Sequence, residues 1–323
     1  MRDGRIRYQC KECGKWFSVN RKAGLDISRM TLDHLDGMPL RKIADRYKVS
    51  ISSAFSKVRS YLDKLPNCAD VTRKYCSRFS GILVVDGKFV CVRGYEKKIP
   101  TFYGIDYLSH DIPTFKLMPS ENYEACVNYF KSLRLLNYPL GALVSDDNPN
   151  IREACLAIYP NAIIQICQNH YLENVRKTLN VRTDPTYTPF MRRVEVLFKF
   201  KRSKDDFNRY AKTILNDYQD FSICVAVMID IHKKKGLLLG YLNCKHCPRT
   251  TNIIESFNSH LNARLESIKG FKSFRSADLW LNGYFLRRRI KRFTDCRGKF
   301  KHLNGKKSIE QTQKCDVVVP PLF

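Results

Sequence analysis

Two short apolar runs, each closed by an acid, constrain this chain more than anything else in it. Gly81-Ile82-Leu83-Val84-Val85-Asp86-Gly87 and Leu140-Gly141-Ala142-Leu143-Val144-Ser145-Asp146-Asp147 both read as buried strands. Residues 89–92, 101–107 and 112–118 continue as short strands, which suits an antiparallel meander. Residues 121–136 carry Tyr123, Val127, Phe130 and Leu133 at helical spacing. A helix at 151–158 and a strand at 162–166 follow, and strands alternating with helices imply parallel pairing. The expected core is therefore α/β: a mixed sheet with a meander first and β-α units after it. Side chains at strand ends are presented at a sheet's rim, where open α/β folds place their sites. If the two acid-tipped strands are neighbours, Asp86 and Asp146 stand side by side.

A third acid lies far downstream, in Arg249-Thr250-Thr251-Asn252-Ile253-Ile254-Glu255. Ile254, Phe257, Leu261, Leu265 and Ile268 recur at helical spacing. Asn252 reads as the N-cap, with Glu255 at the capping-box position. Glu255 sits at the margin of the apolar stripe, where a carboxylate either caps the helix or points into a cleft. Three carboxylates with open positions suit Mg²⁺, a hard ion that takes oxygen ligands. Two such ions about 4 Å apart can clamp the attacking and leaving oxygens of a phosphodiester.

The charge balance says what such a site acts on. Lys and Arg number 57 against 31 Asp and Glu, a formal net charge of +26. That excess is hard to reconcile with a small-molecule enzyme and fits a long polyanion, nucleic acid first. There is no apolar run long enough to span a membrane and no apolar signal-peptide core, so a cytoplasmic, nucleoid-associated protein is expected. Thirteen cysteines, an odd number, argue against a disulfide framework. Two pairs have metal-ligand spacing. Cys10 and Cys13, in Cys-x-x-Cys-Gly, look like one knuckle of a zinc ribbon, half of the four-ligand shell that zinc needs. The other ligands come from upstream, come from elsewhere in the chain, or are lost. Cys244 and Cys247 read as a second zinc pair or as two free thiols.

Residues 25–65 are helical by pattern. Ile43, Ala44 and Tyr47 form a short helix, Val49 sits in a turn, and Ser50 caps a second helix with Ala54, Phe55 and Val58 inward. This is helix-turn-helix spacing. It turns Ser50, Ser52, Ser53, Ser56 and Lys57 outward, a face suited to the major groove. Residues 181–245 carry helical repeats such as Phe190/Val194/Leu197 and Phe207/Tyr210/Ile214 and read as an all-helical insertion. Residues 286–307 hold ten Lys and Arg against one Asp. Arg287, Arg288, Arg289, Lys291 and Arg292, with Arg249 and Arg264 beside Glu255, are expected to track a phosphate backbone.

The order Val84-Val85-Asp86-Gly87, Val144-Ser145-Asp146, Gln165-Ile166-Cys167-Gln168-Asn169-His170 and Arg249-Thr250-Thr251-Asn252-Ile253-Ile254-Glu255-Ser256-Phe257-Asn258 resembles the Mutator-like DDE transposases of bacterial and archaeal insertion sequences. The resemblance covers roughly residues 80–285, and the Thr-Thr-Asn-x-x-Glu and Cys-x-x-His blocks are its most specific parts. It implies a ribonuclease-H-like core interrupted before Glu255 by a helical insertion. It makes Asp86, Asp146 and Glu255 the triad for two Mg²⁺ or Mn²⁺ ions. Cys167, His170 and Asn252 become residues that support the acids or touch DNA. It also implies double-stranded DNA partners, the element's terminal inverted repeats and a target, and a homo-oligomer. The family usually has Asp-Gly at the second acid; here it is Asp146-Asp147, and the Ser145-Asp146 match favours Asp146.

The organisation that follows has a partial zinc-ribbon segment at 1–22, a helix-turn-helix domain at 23–66 and a linker at 67–79. The core comprises 80–180 and 248–292, divided by the insertion at 181–247, and a basic tail runs from 293 to 323. The expected activity is strand cleavage followed by 3′-OH strand transfer. The rivals are a catalytically idle DNA binder of transposase descent and a nuclease of the same fold that joins nothing.

Overall fold

The computed structural model describes residues 8–17 and 25–323. The rest of the zinc-ribbon-like segment and the first residues of the helix-turn-helix segment lie outside those described. A hairpin of Tyr8–Gln9 (β1) and Trp16–Phe17 (β2) comes first. Three helices follow: Ile27–Leu35 (α1), Leu40–Arg46 (α2) and Ile51–Lys64 (α3). Asp26 caps α1 by accepting the Arg29 N–H, and Ser50 caps α3 by accepting that of Ser53. Ala54, Val58 and Leu62 of α3 are buried with Met30, Leu35 and Ile43 of the other two helices.

The stretch expected to be a linker contains a helix, Cys68–Tyr75 (α4). Asn67 caps it, and Cys68, Val71 and Thr72 are buried. Only those three inward positions mark it, too few to stand out as a periodic pattern.

The sheet consists of Ile82–Val90 (β3), Ile99–Asp106 (β4), Phe115–Leu117 (β5), Ala142–Ser145 (β6) and Ile163–Ile166 (β7). Its order is β5-β4-β3-β6-β7. β3, β4 and β5 pair antiparallel, whereas β3–β6 and β6–β7 are parallel. This is the mixed sheet expected, a meander joined to β-α units. One detail differs. β3 does not end at Asp86 but runs through Gly87 to Val90, absorbing the expected separate strand at 89–92. The reason is pairing: β4 stays in register with β3 from Leu83↔Asp106 to Val90↔Ile99.

Tyr123–Leu135 (α5) and Pro149–Ile158 (α6) cover one face, packing Tyr129, Phe130, Leu133, Ile151 and Cys155 on Leu83, Val85, Phe102, Leu143 and Ile164. The alternate side chains Ile82, Val84, Tyr103, Ile105 and Val144 face the other way. Gln168–Thr178 (α7) leaves β7. Thr188–Lys199 (α8), Lys204–Asp217 (α9) and Ser222–Leu238 (α10) fill the region between α7 and Glu255 with helices.

Asn252–Ile268 (α11) and Phe274–Ile290 (α12) cover the second face through Phe257 and Phe285, which stack on each other and lie against Tyr103. α12 also seats α3: a Cβ at Gly283 would lie 2.5 Å from the Leu62 side chain, so glycine permits the approach. The basic C-terminal stretch is not a free tail. Ser308–Thr312 (α13) is anchored by Ser308, Ile309 and Thr312, all buried. Thr312 accepts the Ser77 and Arg78 N–H groups at 2.9 and 3.0 Å. Among the described residues, no helix is long and apolar enough to cross a membrane.

Candidate active site

The parallel register Ile82↔Ala142, Leu83↔Leu143, Val84↔Val144 brings Asp86 and Asp146 level at one end of the sheet. β6 stops at Ser145 while β3 continues, so beyond Val84 the β6 side of β3 is unpaired and open. Asp86 shares its face with Val84, the face covered by α11. It is half-buried, and each of its oxygens accepts one hydrogen bond. Oδ1 takes the Gly87 N–H at 2.8 Å, and Oδ2 takes Asn258 Nδ2 at 2.6 Å. Asn258 Oδ1 in turn accepts the hydroxyl of fully buried Tyr103.

Burial pushes Asp86 up to about 6; Asp146 and Glu255 push the same way, against the Gly87 hydrogen bond and nearby His170. Asp146 is also raised, by burial and then Asp147, with His170 opposing. A fourth acid shares this field. Glu121, just before α5, is pushed up to about 7 by burial, then by Asp146 and Asp86. Its Oε1 accepts from Asn148 at 3.3 Å, and its Oε2 lies 2.9 Å from where a Cβ at Gly87 would be. Any side chain there would displace it. Asp147 points elsewhere, pairing with Arg152 at 3.2 Å and Lys234 at 2.6 Å.

Glu255 sits in the first turn of α11, 42% exposed at the side chain. The helix starts one residue earlier than expected. Thr251 is the cap residue, and Asn252, the first helical one, accepts from Asn169 at 2.9 Å. Glu255 is no capping carboxylate: it takes the Thr251 hydroxyl at 2.7 Å and lies 3.5 Å from His170 Nε2. The Thr251 N–H and hydroxyl also approach Cys167 Sγ, at 3.3 and 3.1 Å. The Cys167 sulfur beside the His170 ring, more than burial, sets its pKa and holds it up at about 9. Burial favours the Cys167 thiol, but His170 and Thr251 outweigh it and hold the group below its ordinary value. Cys167, His170 and Glu255 have ligand atoms within 4.8 Å of one another, the one such trio among the described residues. Of the three acids expected as a triad, Asp146 and Glu255 both act on Asp86, but among the described residues the three do not close to that spacing.

A model of the Mutator family of transposases matches residues 72–281. The chain belongs to that family. The match runs from α4 into α12 and includes both aspartates, Glu255 and the helices between. A search of curated proteins gave no match. Membership places the chain among enzymes that cut and transfer DNA.

The donor set of this transposase fits hard divalent cations. Asp86, Asp146 and Glu121 are carboxylates in one field: Asp146 raises Asp86, both raise Glu121, and a cation bound there would reverse that repulsion. Oxygen donors are what Mg²⁺ takes, whereas the Cys167 sulfur is too soft for it. Cys10 and Cys13 fit half a zinc shell. The Cys13 and Glu12 backbone groups lower the Cys10 thiol, but no third ligand joins the pair among the described residues. Cys244 and Cys247 lie together, with burial raising both thiols, Cys247 to about 12, and they too lack a third ligand there.

The expected DNA-contacting residues divide. Ser52 is exposed, and Ser53 and Lys57 half-exposed, on the outer face of α3, while the Ser50 hydroxyl is engaged as its cap. Arg249 holds the carbonyls of Phe198 and Lys199 at the end of α8, and Arg264 that of His260. Arg287 pairs with Asp36, and Arg288 lies over Phe257 and Phe293. Lys291 and Arg292 are exposed. Arg289 is no DNA ligand: it is fully buried and held by Asp111, because its place on α12 faces the core. Asn258, Tyr103, Thr251 and Glu121 are the site residues that sequence reasoning missed. Asn258 carried one signal, a polar residue one helical turn after Glu255 and beside the apolar stripe.

Proposed function

We propose that this transposase binds its element's terminal inverted repeats and carries out two-metal strand cleavage and 3′-OH strand transfer at Asp86, Asp146 and Glu255. The observation that carries this reading is the pair of aspartates on adjacent parallel strands, facing the helix that bears Glu255. The mixed sheet with helices on both faces, interrupted by helices before α11, supports a ribonuclease-H-like core. Asp86, Asp146 and Glu255 would hold Mg²⁺ or Mn²⁺, which when bound supply Lewis-acid activation of the nucleophile and of the phosphoryl oxygens. Water adds to phosphorus as the P–O3′ bond breaks, the water's proton passing to solvent and the 3′ oxygen taking one up. The freed 3′-OH then adds to a target phosphorus as the target's own P–O3′ bond breaks.

Around that exchange, Thr251 and protonated His170 orient the Glu255 carboxylate, with Cys167 holding the ring. The turn between α2 and α3 supports a helix-turn-helix reading, with α3 presenting Ser52, Ser53 and Lys57 to the major groove.

The test uses Asp86→Asn and Glu255→Gln proteins on DNA carrying the terminal repeats with Mg²⁺. Both should bind the repeats as the unaltered protein does and fail to cleave. Undiminished cleavage would remove these roles. Cleavage without joining, by the unaltered protein in a strand-transfer assay, would make it a nuclease.

A further inference from the structure

We infer that Asn258 is a positioning residue: it fixes the Asp86 carboxylate and ties it to the helix that carries Glu255. The inference rests on Asp86 acting as proposed above, and adds how its orientation is set. Asn258 lies three residues after Glu255 on α11, one turn along on the same side. It is 9% exposed and bridges two elements that are distant in sequence. Chemistry fixes its amide. An ionised carboxylate only accepts, so the NH₂ must face Asp86, and the amide oxygen then faces the Tyr103 hydroxyl, which can donate.

Tyr103 stands opposite Asp86 in the β3–β4 register. The contacts therefore close a loop: Asp86 to Asn258, Asn258 to Tyr103, and Tyr103 back to Asp86 through the sheet. A loop of that kind leaves α11 little freedom to slide or roll on β3, and Glu255 rides on α11. It also leaves Asp86 with each oxygen singly engaged, so that a second lone pair on each stays open for a cation. An apolar side chain at 258 would leave a buried hydroxyl and a carboxylate oxygen without this partner, so packing alone does not account for an amide here.

The test compares full-length Asn258→Ala, Tyr103→Phe and Asp86→Asn proteins with the unaltered chain. Mn²⁺ affinity is read from the spin-resonance signal of the free ion. The Mg²⁺ dependence of plasmid nicking, binding to an arbitrary duplex and thermal melting are read alongside. Asn258→Ala should bind Mn²⁺ about 10- to 100-fold more weakly and need correspondingly more Mg²⁺ to nick, with duplex affinity unchanged. Tyr103→Phe, which touches no oxygen of Asp86, should move both readings the same way by less. Unaltered ion affinity and Mg²⁺ dependence in folded Asn258→Ala overturn the inference. Should that protein not fold, the same result in Tyr103→Phe does so. Asp86→Asn that nicks normally overturns the proposed function itself, however Asn258 behaves.

Discussion

Asp146 and Asp147 are neighbours in the chain and face different parts of the molecule. Asp147 is occupied by Arg152 and Lys234, which tie β6 to α6 and α10. Asp146 lies in the field of Asp86, Glu121 and His170. Asp147→Ala should therefore cost about 1–2 kcal/mol of stability, since its pairs are partly shielded, and leave Mn²⁺ affinity unchanged. Asp146→Asn should do the reverse, weakening Mn²⁺ at least about tenfold while the melting point holds. Denaturant unfolding and ion titration on the two proteins decide the matter; the opposite pattern would transfer the role to Asp147. Residue by residue, the acids were legible because each stands in a strong local pattern, an apolar run or a Thr-Thr-Asn-x-x-Glu block. Asn258 and Glu121 were not, because their significance lies in the β3–α11 contact and in the space above Gly87, neither of which has a local sequence period. Asn252 was misplaced by one residue for a similar reason: it is an apt cap, but the helix begins where Thr251 can reach Glu255 and Cys167.

At the scale of elements, long periodic helices and apolar strands were readable, whereas α4 and the C-terminal stretch were not. Their helices, α4 and α13, are short, and both are held by contacts with distant segments rather than by a periodic face. The turn after β4 shows what the C-terminal stretch contributes. His110 packs edge-on against Phe300 at 4.3 Å and Phe293 at 5.7 Å, and its Nε2 is buried without a hydrogen-bond partner among the described residues. Burial, then Arg288, His302 and Lys299, lower its pKa from 6.5 to about 4. Between those values the unfolded chain holds a proton that the folded one does not. The stability from a neutral His110 is therefore complete above pH 6.5 and lost as pH falls toward 4. Asp86 and Glu121, raised to about 6 and about 7, act with the opposite sign, since their folded forms hold the extra proton. The His110 contribution must then be read by difference. His110→Asn suits the site because the backbone there has φ +56°, which asparagine tolerates. Between pH 7 and pH 4, the stability advantage of the unaltered chain over His110→Asn should shrink by on the order of 3 kcal/mol. Parallel curves would show that another group titrates.

Taken whole, the molecule turns on α12, which has the α1–α3 helices and α4 on one side and the sheet on the other. Its last turn carries the most deeply buried ion pair among the described residues. Arg289 donates to Asp111 at 2.9 and 2.8 Å, to Thr72 at 2.8 Å and to the Cys68 carbonyl at 3.3 Å. Asp111 also accepts from Ser308 at 3.0 Å and Thr312 at 2.6 Å. One guanidinium thus joins α12, α4, the turn after β4 and α13. Removing one partner strands a buried charge, so Arg289→Met should cost about 3–5 kcal/mol in denaturant unfolding. Replacing both, as Arg289→Met with Asp111→Leu, should return much of it. Ser308 and Thr312 can turn to the Arg289 and Ile309 carbonyls, at 3.3 and 3.2 Å, when the carboxylate is gone. The same variants separate fold from DNA contact along one basic stretch. Folded Arg289→Met should bind duplex with unchanged affinity and salt dependence, because no atom of Arg289 reaches the surface. Lys291→Ala with Arg292→Ala should hold its stability, bind more weakly and show a shallower decline with salt, having given up phosphate contacts. If Arg289→Met instead flattened the salt dependence at unchanged stability, the buried pair could not be the pin described here, and the arginine would have to reach the nucleic acid.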